Sequence, residues 1–153
     1  MKKIITALFA ATFVLPAVAE EKGFTSLFDG KTLEGWDGKK EFWSVQDGAI
    51  QGKTTKETPT KGNTFIIWKG GTVADFELKF EYRFLTKSGN SGCQYRSEDM
   101  GNNVVKGYQG DFEAGTRYSG INYGEKTGRG ILADRGTKTT LGDGKAKKKV
   151  ERF

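Results

Sequence analysis

Phe76-Glu77-Leu78-Lys79-Phe80-Glu81-Tyr82-Arg83-Phe84 is apolar at every second position for nine residues. Alternate side chains of a β-strand point to opposite faces, so this period sends Phe76, Leu78, Phe80, Tyr82 and Phe84 to one side. Glu77, Lys79, Glu81 and Arg83 go to the other. A helix would scatter the same five apolar side chains around its surface. The stretch reads as a long strand with one face on a core.

The same texture extends outward from it. Phe42 to Val45 and Ala49 to Gln51 flank Gln46-Asp47-Gly48, the pattern of a hairpin with a glycine-supplied turn. Thr64 to Trp68 is β-branched and aromatic, fit for a buried strand. Cys93 to Arg96, Tyr108 to Glu113 and Ile121 to Tyr123 follow, separated by glycine-rich turns such as Ser88-Gly89-Asn90-Ser91-Gly92. No segment has the period of a long helix. Short strands with glycine turns predict an all-β antiparallel sandwich or barrel. About seven strands precede the basic tail, near the lower limit for a sandwich.

Composition narrows the chemistry. The 153 residues contain no histidine and one cysteine. That excludes Ser-His-Asp and Cys-His nucleophile systems, thiolate metal clusters and an intramolecular disulfide. Cys93 reads as a small buried hydrophobe, with a reactive thiol as the competing reading. The net charge of +6 is not spread over the chain. Lys145 to Phe153 holds five basic residues and one acid, Lys2 and Lys3 add two more, and Glu20 to Gly144 balances at 18 of each sign. A nucleic-acid binder carries its basic face on the folded body, so no nucleic-acid partner is expected.

Residues 1–19 have the layout of a cleavable signal peptide. Lys2 and Lys3 precede an apolar stretch from Ile4 to Leu15, and Ala17-Val18-Ala19 is a small-x-small cleavage site. The apolar run is too short to span a bilayer of about 30 Å as a helix, so no stable membrane anchor is expected. The protein is expected in the periplasm or outside the cell.

Phosphate-binding and dinucleotide loops are absent. Interleaved carboxylates, amides and arginines remain, on what the strand period makes one polar face. Glu81 and Arg83 come from the long strand, Gln94 and Arg96 from the next, and Gln109, Asp111 and Glu113 share one parity. Glu125 and Arg129 lie just beyond Tyr123. Such a face can bind sugar hydroxyls and do acid–base work. It can equally be a solvated outer face with cross-strand ion pairs. Trp36, Trp43 and Trp68 can stack on sugar rings or pack in the core.

Several stretches resemble the 3-keto-disaccharide hydrolase domain family of bacterial secreted proteins. They are Gly23 to Trp36, Phe42 to Ile50, Asp75 to Leu78, Asn90-Ser91-Gly92-Cys93-Gln94-Tyr95-Arg96, Gly107 to Asp111, and Gly120 to Glu125 with Gly128-Arg129-Gly130. They come in family order. The resemblance implies a concanavalin A-like jelly-roll sandwich over 23–153. It implies an enzyme that acts on an oxidised disaccharide or glycoside by proton abstraction at carbon 2, loss of the glycosidic leaving group and hydration. A non-catalytic, lectin-like carbohydrate-binding module is the alternative. On this reading Arg96, Asp111, Glu113 and Glu125 are catalytic candidates, with Arg96 binding substrate oxygen or stabilising the enolate. Glu81, Arg83, Gln94, Gln109, Tyr123 and Arg129 are substrate-binding candidates. No cofactor is specified; a divalent metal is compatible only with carboxylate, amide and carbonyl ligands. Family domains continue with further strands past the region resembling Val150 to Phe153, so the chain is expected to end inside its domain.

Overall fold

The computed structural model describes residues 22–143 and 147–153. The leader expected at 1–19 and part of the basic tail lie outside the described residues. Among the described residues there is no helix, and every strand pairing is antiparallel. The fold is all-β, as the strand texture indicated.

Ten strands form. β1 (Trp36–Asp37) pairs with β4 (Ile67–Trp68), and β2 (Trp43–Gln46) pairs with β3 (Ala49–Gly52). β5 (Asn90–Asp99), β6 (Val105–Glu113), β7 (Asn122–Glu125) and β8 (Gly130–Ala133) form a four-stranded meander in chain order. β9 (Thr137–Leu141) pairs with β10 (Lys147–Arg152), which is built from the basic tail. The β2–β3 hairpin closes through Asp47 and Gly48, at φ 51° and 74°. Two consecutive positive φ values give the primed turn whose twist matches its flanking strands.

The core is thin. Phe42, Val105, Ile121 and Leu132 are its buried apolar residues. Hydrogen bonds and an ion pair tie β1 and the residues flanking β4 to the β5–β6 hairpin. Asn103 Nδ2 donates to the Asp37 carbonyl (3.2 Å), Phe65 N donates to Asn103 O (2.9 Å), and Lys69 pairs with Asp99 (3.2 Å).

Two expectations are corrected. The alternating stretch 76–84 belongs to no ladder among the described residues. Alternation selects which side chains share a face, but a strand also needs a neighbour to receive its N–H and C=O groups. The alternation itself persists: the rings of Phe80, Tyr82 and Phe84 all lie against Phe112, with Tyr82 stacked on it at 4.2 Å between centroids. Secondly, Asn90, Ser91 and Gly92 are not a turn but the first residues of β5. The Thr64–Trp68 strand shrinks to Ile67–Trp68.

Candidate active-site cleft

The four-stranded sheet sorts its side chains by parity. Gln94, Gln109, Tyr123 and Ile131 stand opposite one another in register, a row across all four strands. Asp111 stands opposite Gly92, Glu113 opposite Asn90 and Glu125 opposite Gly107. All project to one face. The other face carries Cys93, Tyr95, Tyr108 and Phe112, against which the 76–84 segment lies.

A cleft of about 370 Å³ opens on the first face, lined by Asn63, Asn90, Gln109, Asp111, Glu113, Tyr118, Ile121, Tyr123 and Ile131. A directed chain of hydrogen bonds leads across the sheet to the cleft. Ser97 Oγ donates to Gln94 Oε1 (2.8 Å), Gln94 Nε2 donates to Gln109 Oε1 (2.7 Å), and Gln109 Nε2 donates to Asp111 Oδ1. Each donor polarises the next toward the carboxylate, and the direction fixes both amide orientations. Gln109 is only 6% exposed, and the glycine at 92 leaves room for its side chain.

The three carboxylates differ in their surroundings. Glu125 is 7% exposed and accepts from Asn63 Nδ2 (2.8 Å). Glu113 Oε1 accepts from the backbone N–H of Tyr118 (2.7 Å), which braces the loop leading to β7. Asp111 is half-buried, as Glu113 is, and it also lines an apolar pocket with Phe76, Leu78, Phe80 and Phe112. Burial raises its affinity for a proton above the ordinary aspartate value, and the charges of Glu125 and Glu113 push the same way. Hydrogen bonds from Gln109 and Asn90 act in the opposite direction. No group of three or more Asp, Glu, Cys or His among the described residues converges to hold a metal ion.

Of the predicted residues, Gln109, Asp111, Glu113 and Tyr123 line the cleft, while Gln94 joins them through Gln109 and Glu125 through Asn63. Four other candidates are elsewhere. Arg96 sits in a bulge of β5 between Tyr95 and Glu98, at φ 47°. Its parity would have put it beside Gln94, but the bulge turns it away. Its guanidinium donates to the Ala74 carbonyl (3.1 Å) and pairs with Asp75 (3.5 Å). Glu81 and Arg83 are exposed and have the parity opposite to the rings on Phe112. Arg129 donates to the Gly142 carbonyl (3.0 Å), outside the cleft lining. None of the three tryptophans lines the cleft; Trp36 Nε1 is held by the Leu27 carbonyl (2.8 Å).

Sequence reasoning missed Asn63, Asn90, Tyr118, Ile121 and Ile131. Asn63 is 62 positions from the carboxylate it serves, and no local pattern announces it. Asn90 and Ile131 follow from register once the strands are known.

These features define a class: an antiparallel β-domain presenting a carboxylate- and amide-lined cleft on one sheet face. The particular family follows from comparison with known proteins. The model of the 3-keto-alpha-glucoside-1,2-lyase-like domain matches residues 23–152, and the chain belongs to that family. A curated relative, the 3-keto-disaccharide hydrolase of Bacteroides thetaiotaomicron, is 30% identical over 107 residues, covering 60% of this chain and 35% of that protein. The chain spans about a third of the length of that relative. No solved structure matches it.

Proposed function

We propose that this chain cleaves glycosides whose sugar is oxidised at carbon 3, with Asp111 as the base. The observation that carries the reading is a cleft lined by Asp111, Glu113 and Gln109, with Gln94 and Glu125 each bonded to a lining residue, in a member of this family.

A keto group at carbon 3 acidifies the proton on carbon 2. The Asp111 carboxylate takes that proton, and the electron pair moves onto the carbon 3 oxygen as an enolate. The carbonyl re-forms as a double bond grows between carbons 1 and 2 and the bond from carbon 1 to the glycosidic oxygen breaks. The departing oxygen recovers the proton now on Asp111. Water then adds across the double bond, hydroxyl to carbon 1 and proton to carbon 2, so the net reaction is hydrolysis. The raised proton affinity of Asp111 makes its carboxylate a stronger base than an ordinary aspartate. Asn90 and Tyr123 are the neutral donors assigned to the enolate oxygen. Glu125, oriented by Asn63, is assigned to sugar hydroxyls. Arg96, held by Ala74 and Asp75, takes no part in this assignment.

The test is turnover of a 3-keto disaccharide by the whole chain in D2O, with deuterium read at carbon 2 of the product. Asp111→Asn should lower turnover by at least about 100-fold, the lower bound for losing a positioned general base. Full turnover by Asp111→Asn, or none by the unaltered chain, overturns the assignment. We also infer export, supported by the leader pattern of residues 1–19.

A further inference from the structure

The hydrogen bonds that end on Asp111 begin at Ser97. Its Oγ lies 2.8 Å from Gln94 Oε1 and 3.0 Å from the Tyr95 carbonyl. A hydroxyl carries one hydrogen, so it serves one of these acceptors at a time. The bulge of β5 after Tyr95 brings Ser97 to this place, and Gly107 on β6 leaves it room. A Cβ at 107 would overlap the Ser97 Oγ and lie 2.6 Å from its Cα. Gly92 clears space for Gln109 in the same way.

We infer that Ser97, Gln94 and Gln109 are positioning residues that form a reversible amide relay, its hydrogen bonds running toward Asp111 when that carboxyl is ionised and away from it when it is protonated. The bonds in place are those of the ionised state, from Ser97 to Gln94 to Gln109 to Asp111. A protonated Asp111 has an O–H to donate. A half-turn of each amide group exchanges its Oε1 with its Nε2. Asp111 then donates to Gln109 Oε1, Gln109 Nε2 to Gln94 Oε1, and Gln94 Nε2 to Ser97 Oγ. The Ser97 hydrogen turns to the Tyr95 carbonyl, so the last member keeps a partner as well. Each contact has one donor and one acceptor in both orders. Turning one amide alone sets oxygen against oxygen or N–H against N–H, so the two turn together. No proton travels along the relay: each nitrogen keeps its hydrogens, and the proton on Asp111 comes from outside it. The titratable groups that share the cleft with Asp111 are Glu113 on β6, Glu125 and Tyr123 on β7, and Tyr118 in the loop between these strands. Cys93, Tyr82 and Tyr95 share its apolar pocket. None of these side chains is a member of the amide chain. The use of the relay rests on the proposed role of Asp111 as base: the carboxyl takes a proton and gives it up, and the relay orients it in both conditions.

Heteronuclear NMR of the isotope-labelled whole chain tests it as pH is lowered. The side-chain amide signals of Gln109 and Gln94 should both move with the midpoint of the Asp111 carboxyl carbon, although Gln94 bonds to Gln109 and not to Asp111. Asp111→Asn should remove both responses. Gln109→Met keeps the volume and breaks the chain, so it should leave Gln94 unresponsive. Ser97→Ala, at an exposed position, removes the acceptor of the reversed order and should shrink the Gln94 response. Backbone amide spectra check that each variant keeps its fold. In the unaltered chain, a Gln94 signal that does not follow Asp111 overturns the inference. So does a Gln94 response that survives Gln109→Met, which is the field of the carboxylate acting through space, or one that is unchanged in Ser97→Ala. Turnover does not enter these readings. An inactive chain overturns the proposed cleavage and not the relay; a silent Gln94 overturns the relay and not the cleavage.

Discussion

Adding one methyl group at position 92 should disconnect the amide chain of the cleft. Gly92 has no positive φ, so its backbone accepts alanine without strain. The obstacle is lateral. A Cβ at this position would lie 2.5 Å from both Cγ and Cδ of Gln109 and 2.7 Å from its Nε2. To reach ordinary contact the side chain has to retreat by about 1 Å. Gln109 sits on β6 between β5 and β7 and is 6% exposed, so it can only pivot. Pivoting takes Nε2 off Asp111 and Oε1 off Gln94. A hydrogen bond to a charged group contributes about 1.5–3 kcal/mol and a neutral one about 1 kcal/mol. The stiffer unfolded chain of the alanine variant returns about 0.4–1 kcal/mol. The expected net loss is therefore about 2–3 kcal/mol.

Urea unfolding of four chains measures it: wild type, Gly92→Ala, Gln109→Ala and the double variant. With Gln109 truncated the clash has no partner, and Gly92→Ala should become neutral or slightly stabilising. The coupling energy should then be about 2 kcal/mol, well outside the additivity of independent sites. Equal costs of Gly92→Ala in both backgrounds would refute the reasoning, because the methyl group would then be meeting something other than Gln109. A cost below about 0.5 kcal/mol in wild type would show that Gln109 is not locked by its partners.

Three further outcomes follow from the same geometry. Asp111 binds a proton more readily folded than unfolded, so the folded state holds more protons between the ordinary aspartate value and the raised one, and stability falls as pH rises through that window. Asp111→Asn should abolish that fall and raise the melting temperature at pH 7 while leaving it unchanged near pH 3; calorimetry against pH checks it. Asn63→Ala strips the buried Glu125 of its amide donor and should cost about 1.5–3 kcal/mol in urea unfolding. Gly48→Ala places a Cβ at φ 74° in the β2–β3 turn and should cost about 1–2 kcal/mol, visible as a lowered urea midpoint with an unchanged slope.

Period and turn chemistry carried the fold class. The Asp47-Gly48 hairpin and the shared face of Gln109, Asp111 and Glu113 were legible because both depend on residues adjacent in sequence. What local pattern could not express was pairing. The 76–84 segment has the strongest alternation in the chain and no ladder among the described residues, while Lys147–Arg152, which reads as a charge run, is a paired strand. Parity also misled at Arg96, because a single bulge reverses the direction of a side chain that alternation assigns to the cleft. Asn63 reaches Glu125 only through tertiary placement.

With no histidine in the chain, the base proposed above is a carboxyl whose hold on a proton is strengthened. Burial does most of this at Asp111, and the charges of Glu125 on the neighbouring strand and of Glu113, two residues away on the same face of β6 at a spacing of about 7 Å, add to it. The strand period lays Gln109 beside Asp111, where its amide holds the carboxylate in one orientation without cancelling the effect of burial. Display and orientation thus both rest on the parity of one strand. Inserting one residue between Gly107 and Gln109 would therefore do more than shift the site. It would turn Gln109, Asp111 and Glu113 together onto the face that carries Tyr95 and Tyr108, separate them from Glu125, and abolish any activity that depends on the cluster.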